Sequence, residues 1–141
     1  MHDIVMFHNQ KITSEELGKI IEEINGCTVL VEGKQDLAAL SNFGISDVIS
    51  ISGKPLEKFV DALRGNVLVL TDFDHEGKQL AKRITAVLQQ LGVRTNTPLR
   101  KKIHKMLGIT HVSEIKKIKM EDDYNGKIAA IDNKISNRSP A

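Results

Sequence analysis

The chain has 141 residues, 27% of them charged, 40% hydrophobic and 4% aromatic, with no Trp, a single Cys and a formal net charge of +2. That is the size of one compact domain, and no stretch approaches the roughly 18 uncharged apolar residues of a membrane span. One cysteine, Cys27, allows neither an internal disulfide nor a zinc-finger site, and the start Met1-His2-Asp3-Ile4 lacks the pattern of a secretory signal, so a cytoplasmic protein is expected.

In chain order, Thr13 and Glu16 form a capping-box pattern, and Leu17, Ile20, Ile21 and Ile24 follow at helical spacing, predicting a supporting helix. Cys27-Thr28-Val29-Leu30-Val31 is a short, β-branched apolar run that stops at Glu32-Gly33-Lys34, as a buried strand does. Leu37, Ala38, Leu40 and Ser41 predict a short helix ending near Phe43-Gly44, and Val48-Ile49-Ser50-Ile51 a second strand. Pro55 opens a predicted helix with Leu56, Phe59, Val60 and Leu63 on one face, closed by Gly65. Val67-Leu68-Val69-Leu70-Thr71 is the third strand, and Leu80, Ile84, Val87, Leu88 and Leu91 trace a long helix. Strands apolar on both faces, alternating with helices, imply an α/β domain with a doubly wound, mainly parallel sheet. Val93 to Thr97 offers a fourth strand, and Pro98 to Leu107 a basic helix stopping at Gly108.

Tyr124, Ile128, Ile131 and Ile135 mark one side of a C-terminal amphipathic helix, whose stripe would dock on this domain, on a protein partner or on a second copy of the chain. The expected organisation is a supporting helix within 1–25, a core over 26–97, a basic segment over 98–119 and the amphipathic helix with a frayed end over 120–141. Charge is uneven across these parts. Residues 98–119 hold seven basic side chains against one acidic, whereas 1–97 hold ten against thirteen. Such a concentrated positive patch suits a polyanion, although lysines on a solvated helix face give the same count.

In an open parallel sheet, ligands bind beyond the carboxyl ends of the strands. Glu32 follows the first strand there, and Asp72, Asp74 and Glu76 follow the third. Asp72 and Asp74 are two apart, so an extended chain points both to one side. Anions gathered at one edge raise one another's pKa values unless a cation neutralises them, and a hard divalent ion such as Mg²⁺ takes carboxylate oxygens. The same acids could instead cap the helix that starts near Glu76.

These two motifs, Val29-Leu30-Val31-Glu32-Gly33-Lys34 and, some forty residues on, Val69-Leu70-Thr71-Asp72-Phe73-Asp74-His75-Glu76-Gly77-Lys78, resemble the Toprim domain. That domain is shared by topoisomerases, bacterial-type primases, some repair nucleases and small ribosomal-RNA maturation nucleases. The resemblance spans roughly residues 26–97, and the basic segment beyond is similar to the ends of small single-domain Toprim proteins. It implies a four-stranded Toprim-type sheet with flanking helices. It further implies Glu32 as general acid or base, Asp72 and Asp74 as Mg²⁺ ligands (Mn²⁺ being a substitute), Glu76 as a third acidic residue at the metal, and Lys34 beside a phosphate.

The chain is too short to position the gate and tyrosine nucleophile of a topoisomerase, and Tyr124 falls on the apolar stripe. A complete primase needs a zinc module and a polymerase subdomain. Metal-dependent phosphodiester hydrolysis by a small nuclease is the expected reaction, with RNA favoured over DNA. Gly33 permits close approach of a strand, while Lys34, Lys78, Lys82, Arg83, Arg100, Lys101, Lys102 and Lys105 are the expected phosphate contacts. Few aromatics argue against base stacking as a main source of affinity. His75 reads as solvent-facing, and His2, His8, His104 and His111 show no metal-ligand spacing. Two other classes stay open: a non-catalytic nucleic-acid or ribonucleoprotein binding module, and a phosphatase with an aspartate of the Asp-x-Asp pair as nucleophile, in which Glu32 would have no role.

Overall fold

The computed structural model describes residues 4–7, 10–63 and 65–118. The C-terminal stripe on Tyr124, Ile128, Ile131 and Ile135 lies outside the described residues, as do His2 and His8. The chain begins with an antiparallel hairpin, β1 (Ile4–Phe7) and β2 (Gln10–Thr13), which the hydrophobic pattern did not reveal. Thr13 then caps α1 (Ser14–Asn25): its hydroxyl accepts from the Glu16 N–H while the Glu16 carboxylate accepts from the Thr13 N–H.

Three parallel strands form the central sheet in the order β4, β3, β5, comprising β3 (Thr28–Val31), β4 (Val48–Ser50) and β5 (Val67–Val69). Val29 stands opposite Val48 on one side and Leu68 on the other. Alternation along the strands sorts their side chains into two cores. Val29, Val31, Leu68 and Leu70 face one layer with α1, α2 (Lys34–Asn42), α4 (Thr97–Leu107) and the hairpin. Leu30, Val67 and Val69 face the other, against Ala81, Ile84 and Leu88 of α3 (His75–Gln90). Helices on both faces of a parallel sheet are the α/β architecture expected from the sequence.

Two details differ from expectation. The helix predicted from Pro55 is a pair of 3₁₀ turns, Leu56–Lys58 and Val60–Ala62. The N–H groups of Phe59 and Ala62 donate three residues back, to the carbonyls of Leu56 and Phe59, and Phe59 at φ −106° separates the two turns, so no α-helical ladder forms. The segment's apolar residues Leu56, Phe59 and Leu63 still pack on the α3 layer. The fourth strand is reduced to a single parallel bridge between Val67 and Thr95, because the Asn96 side chain accepts from the Leu99 N–H and starts α4 at once. Pro98 in its first turn and Gly108 at φ 64° bound that helix as predicted. No helix among the described residues is long and apolar enough to cross a membrane.

Candidate metal centre

The carboxyl ends of β3 and β5 lie side by side, since the Leu70 N–H donates to the Leu30 carbonyl, and each strand delivers its acid there. The Glu32 Oε1 accepts from the Asp72 N–H at 3.3 Å, which puts the two motifs in contact across forty residues of sequence. Burial is the main force raising the Glu32 pKa; the charges of Asp72, Asp36 and Asp74 add to it, and the hydrogen bond from the Asp72 amide opposes it.

The loop from Thr71 to Gly77 aims the two aspartates. Asp74 is the N-cap of α3, its Oδ1 accepting from the Gly77 N–H at 2.7 Å, and Asp72 Oδ1 accepts from the Val112 N–H at 2.8 Å. Each aspartate thus spends one oxygen on the backbone and turns the other, Oδ2, towards His111 Nδ1, at 3.3 Å for Asp72 and 3.9 Å for Asp74. Capping of α3 through Oδ1 leaves Asp74 Oδ2 turned towards His111, so the cap and an available second oxygen coexist in this residue. Three ligand atoms, one each from Asp72, Asp74 and His111, lie within 4.8 Å of one another. Bonds of about 2.1–2.5 Å to a divalent cation place its donors roughly 3–5 Å apart, so the spacing of the set admits one ion, the carboxylates suiting a hard cation and the imidazole a transition metal. The Asp72 carboxylate as hydrogen-bond partner holds the exposed His111 pKa above its usual value.

Backbone packing fixes the loop. A Cβ on Gly77 would lie 2.0 Å from the Asp72 carbonyl oxygen, so only glycine lets the start of α3 approach this closely. The Thr71 hydroxyl donates to the Gly77 carbonyl at 2.6 Å, and the Phe73 N–H to the Thr110 carbonyl at 2.7 Å. Arg100 is inward-facing, 9% exposed, and donates to the carbonyls of Val69, Thr71 and Asp72 while lying over the Phe73 ring. The expectation of Arg100 as a phosphate contact is therefore corrected: its guanidinium is committed to the loop carbonyls. Its position on the buried stripe with Leu99, Ile103 and Leu107 is the sequence signal that could have shown this.

Glu32, Gly33, Lys34, Asp36, Asp72 and His111 line one open cleft of ≈ 560 Å³. Gly33 needs no special conformation at φ −138°, and nothing lies within 4 Å of where its Cβ would be. Asp36 accepts from the Gly33 N–H, and burial raises its pKa. Glu76 is exposed on the first turn of α3 and falls outside the three-residue donor group. Lys78, Lys82 and Lys101 line a separate cleft; Arg83 and Lys105 are exposed and line neither, and Lys102 pairs with Glu23 on α1. His111 is the residue that sequence reasoning missed. No spacing announces it, because it reaches Asp72 across 39 positions through the fold of the 108–112 segment.

The Toprim domain family matches residues 27–106. The chain belongs to the Toprim family. Toprim domains bind divalent metal and serve nucleic-acid chemistry in general, and the Glu32, Asp72 and Asp74 constellation falls inside the matched segment, whereas His111 lies beyond it. The chain is 35% identical over 97 residues to a UPF0292 protein of Thermococcus sibiricus, covering 65% of this chain and 75% of that one. It is 33% identical over 95 residues to a UPF0292 protein of Thermococcus onnurineus, covering 65% and 71%. A solved structure of a protein from Aquifex aeolicus superposes with a TM-score of 0.61 at 33% identity, covering 70% of this chain and 96% of that chain.

Proposed function

We propose that this Toprim protein is a small metal-dependent nuclease that hydrolyses phosphodiester bonds, with structured RNA as the favoured substrate. The observation that supports the reading is the hydrogen bond from the Asp72 N–H to Glu32 Oε1, which joins the glutamate motif to the loop that carries the two aspartates. Asp72 and Asp74 would hold Mg²⁺ or Mn²⁺, with His111 as a third donor, and the ion when bound supplies Lewis-acid activation at the phosphate. Glu32, its pKa raised chiefly by burial, holds or moves the proton at the attacking or leaving oxygen. Lys34, exposed at the start of α2 in the same cleft, offers positive charge to the strand. Arg100, hydrogen-bonded to the Thr71 and Asp72 carbonyls, positions the aspartate loop. A role for Glu32 at the site speaks for this reaction over an aspartyl-phosphate mechanism.

The test is incubation of the purified chain with total RNA and with DNA, in Mg²⁺, Mn²⁺ and chelator, alongside Glu32→Gln. Cleavage that needs metal and disappears in Glu32→Gln is expected. Absence of metal-dependent cleavage on every substrate refutes the nuclease and leaves a nucleic-acid binding module.

A further inference from the structure

A second cleft, of ≈ 480 Å³, is lined by α3 and α4 and by Phe73 and His75, the residues that alternate with Asp72 and Asp74 along the loop. Its charged and titratable lining is Lys78, Lys82, Lys101, Arg100, His75 and His104, and among the described residues no acidic group lines it. Arg100 is already committed to backbone carbonyls, but Lys78, Lys82 and Lys101 are exposed. The cleft also borders an aromatic stack. His104 lies on Phe73 with centroids 4.5 Å apart and planes 6° from parallel, and both rings line the cleft. Arg100 over the same Phe73 ring, its carbon 4.5 Å from the centroid, anchors this stack to the loop.

Three lysines with no carboxylate among the described lining residues favour an anion, and a stacked ring in the lining favours a planar group; a nucleotide joins the two. We propose that this cleft is a nucleotide subsite, taking a base of the strand against His104 and its phosphate on Lys82 and Lys101. The class of occupant rests on the proposed action on nucleic acid. Phe73 and His75 alternate in sequence with Asp72 and Asp74, so the cleft adjoins the same loop that carries the aspartates. Burial, followed by the nearby charges of Lys78 and Arg100, lowers the His104 pKa, which keeps the ring neutral for stacking at physiological pH. This assigns base contact to a protein whose aromatic content had argued against it.

The test measures equilibrium binding of a fluorescein-labelled single-stranded RNA and of an abasic strand of equal length, both in chelator so that neither metal nor cleavage contributes. Wild type is expected to bind the base-bearing strand more tightly. His104→Ala should weaken that strand about ten-fold, the scale of one stacked base, and leave the abasic strand nearly unchanged. Thr85→Phe, which fills the cleft wall without disturbing the Phe73 stack, should do the same, so the outcome does not hang on the folding of His104→Ala. Lys82→Glu should weaken both strands, and Lys58→Glu, at an exposed residue outside the cleft lining, neither. Equal binding of the two strands by wild type, equal losses for both strands in Thr85→Phe, or a Lys82→Glu variant indistinguishable from Lys58→Glu overturns the subsite. Base-dependent binding without any cleavage sustains the subsite while the nuclease fails; cleavage with base-independent binding does the reverse.

Discussion

Gly77→Ala is the sharpest perturbation of the metal centre that changes no ligand. An added Cβ would sit 2.0 Å from the Asp72 carbonyl oxygen and 2.5 Å from its carbon, and neither backbone atom can rotate away. Real Cβ contacts stay beyond 3.0 Å, so the loop and the start of α3 must separate by about 1 Å. Overpacking of that kind costs about 1–3 kcal/mol. The shift also strains the buried Thr71 hydroxyl bond to the Gly77 carbonyl and the Asp74 cap on the Gly77 amide, at about 1 kcal/mol each. Better helix propensity of alanine returns about 1 kcal/mol, leaving a net loss of about 2–4 kcal/mol. For a chain of this size that lowers the unfolding midpoint by roughly 5–15 °C. Misplacing Asp72 against Asp74 by about 1 Å should cut cleavage on the order of 100-fold, with weakened Mn²⁺ binding. Thermal unfolding followed by circular dichroism, and calorimetric Mn²⁺ titration, read the two effects. Gly33→Ala is the matched comparison, because no atom lies within 4 Å of its Cβ position, and it should unfold within a few degrees of wild type. A Gly77→Ala protein with the wild-type midpoint and unchanged Mn²⁺ affinity refutes the packing account of the site.

Glu32→Gln should abolish cleavage yet stabilise the metal-free protein at pH 8. A carboxyl whose folded pKa is raised contributes stability that is present below its unfolded pKa and lost as pH rises through the folded one, so the glutamine's advantage should shrink as pH falls towards the ordinary glutamate value of 4.5. Midpoints compared across pH check the sign. Arg100→Lys should destabilise by about 2–4 kcal/mol in denaturant titration, because one ammonium cannot replace a planar fork on three carbonyls and leaves buried acceptors unpaired. His111→Ala should weaken Mn²⁺ binding measurably by calorimetry while the Asp72 bond to the Val112 amide preserves the loop. Gly18→Ala, at an exposed helical position with nothing within 4 Å, should raise the midpoint, being worth about 0.5–1 kcal/mol.

Much of this arrangement was legible from local pattern. The apolar runs at Val29–Val31 and Val67–Leu70 are apolar on both faces, and the abrupt change to Glu32 and Asp72 marks where each strand leaves the core. Thr13 with Glu16, and Pro98 with Gly108, encode their helix ends through backbone hydrogen bonding and φ preference, which depend on nearby residues only. The apolar spacing after Pro55 satisfies a helix, whereas the backbone closes two short i→i+3 turns on either side of Phe59, which the spacing does not distinguish.

The sequence by itself determined the α/β architecture, the three central strands and the acids that follow them, because hydrophobic periodicity and turn chemistry act over a few residues. Tertiary structure alone decided how the acids are completed. It turned Arg100 inward onto three carbonyls, brought His111 to Asp72 and Asp74 from beyond the Toprim segment, and divided the lysines, leaving Lys34 in the acidic cleft and placing Lys78, Lys82 and Lys101 in the basic one. Periodicity states that a helix has a buried face; it does not state which loop that face will meet. Contacts such as these depend on how α4 and the segment after Gly108 dock against the sheet, and only the packed core fixes that.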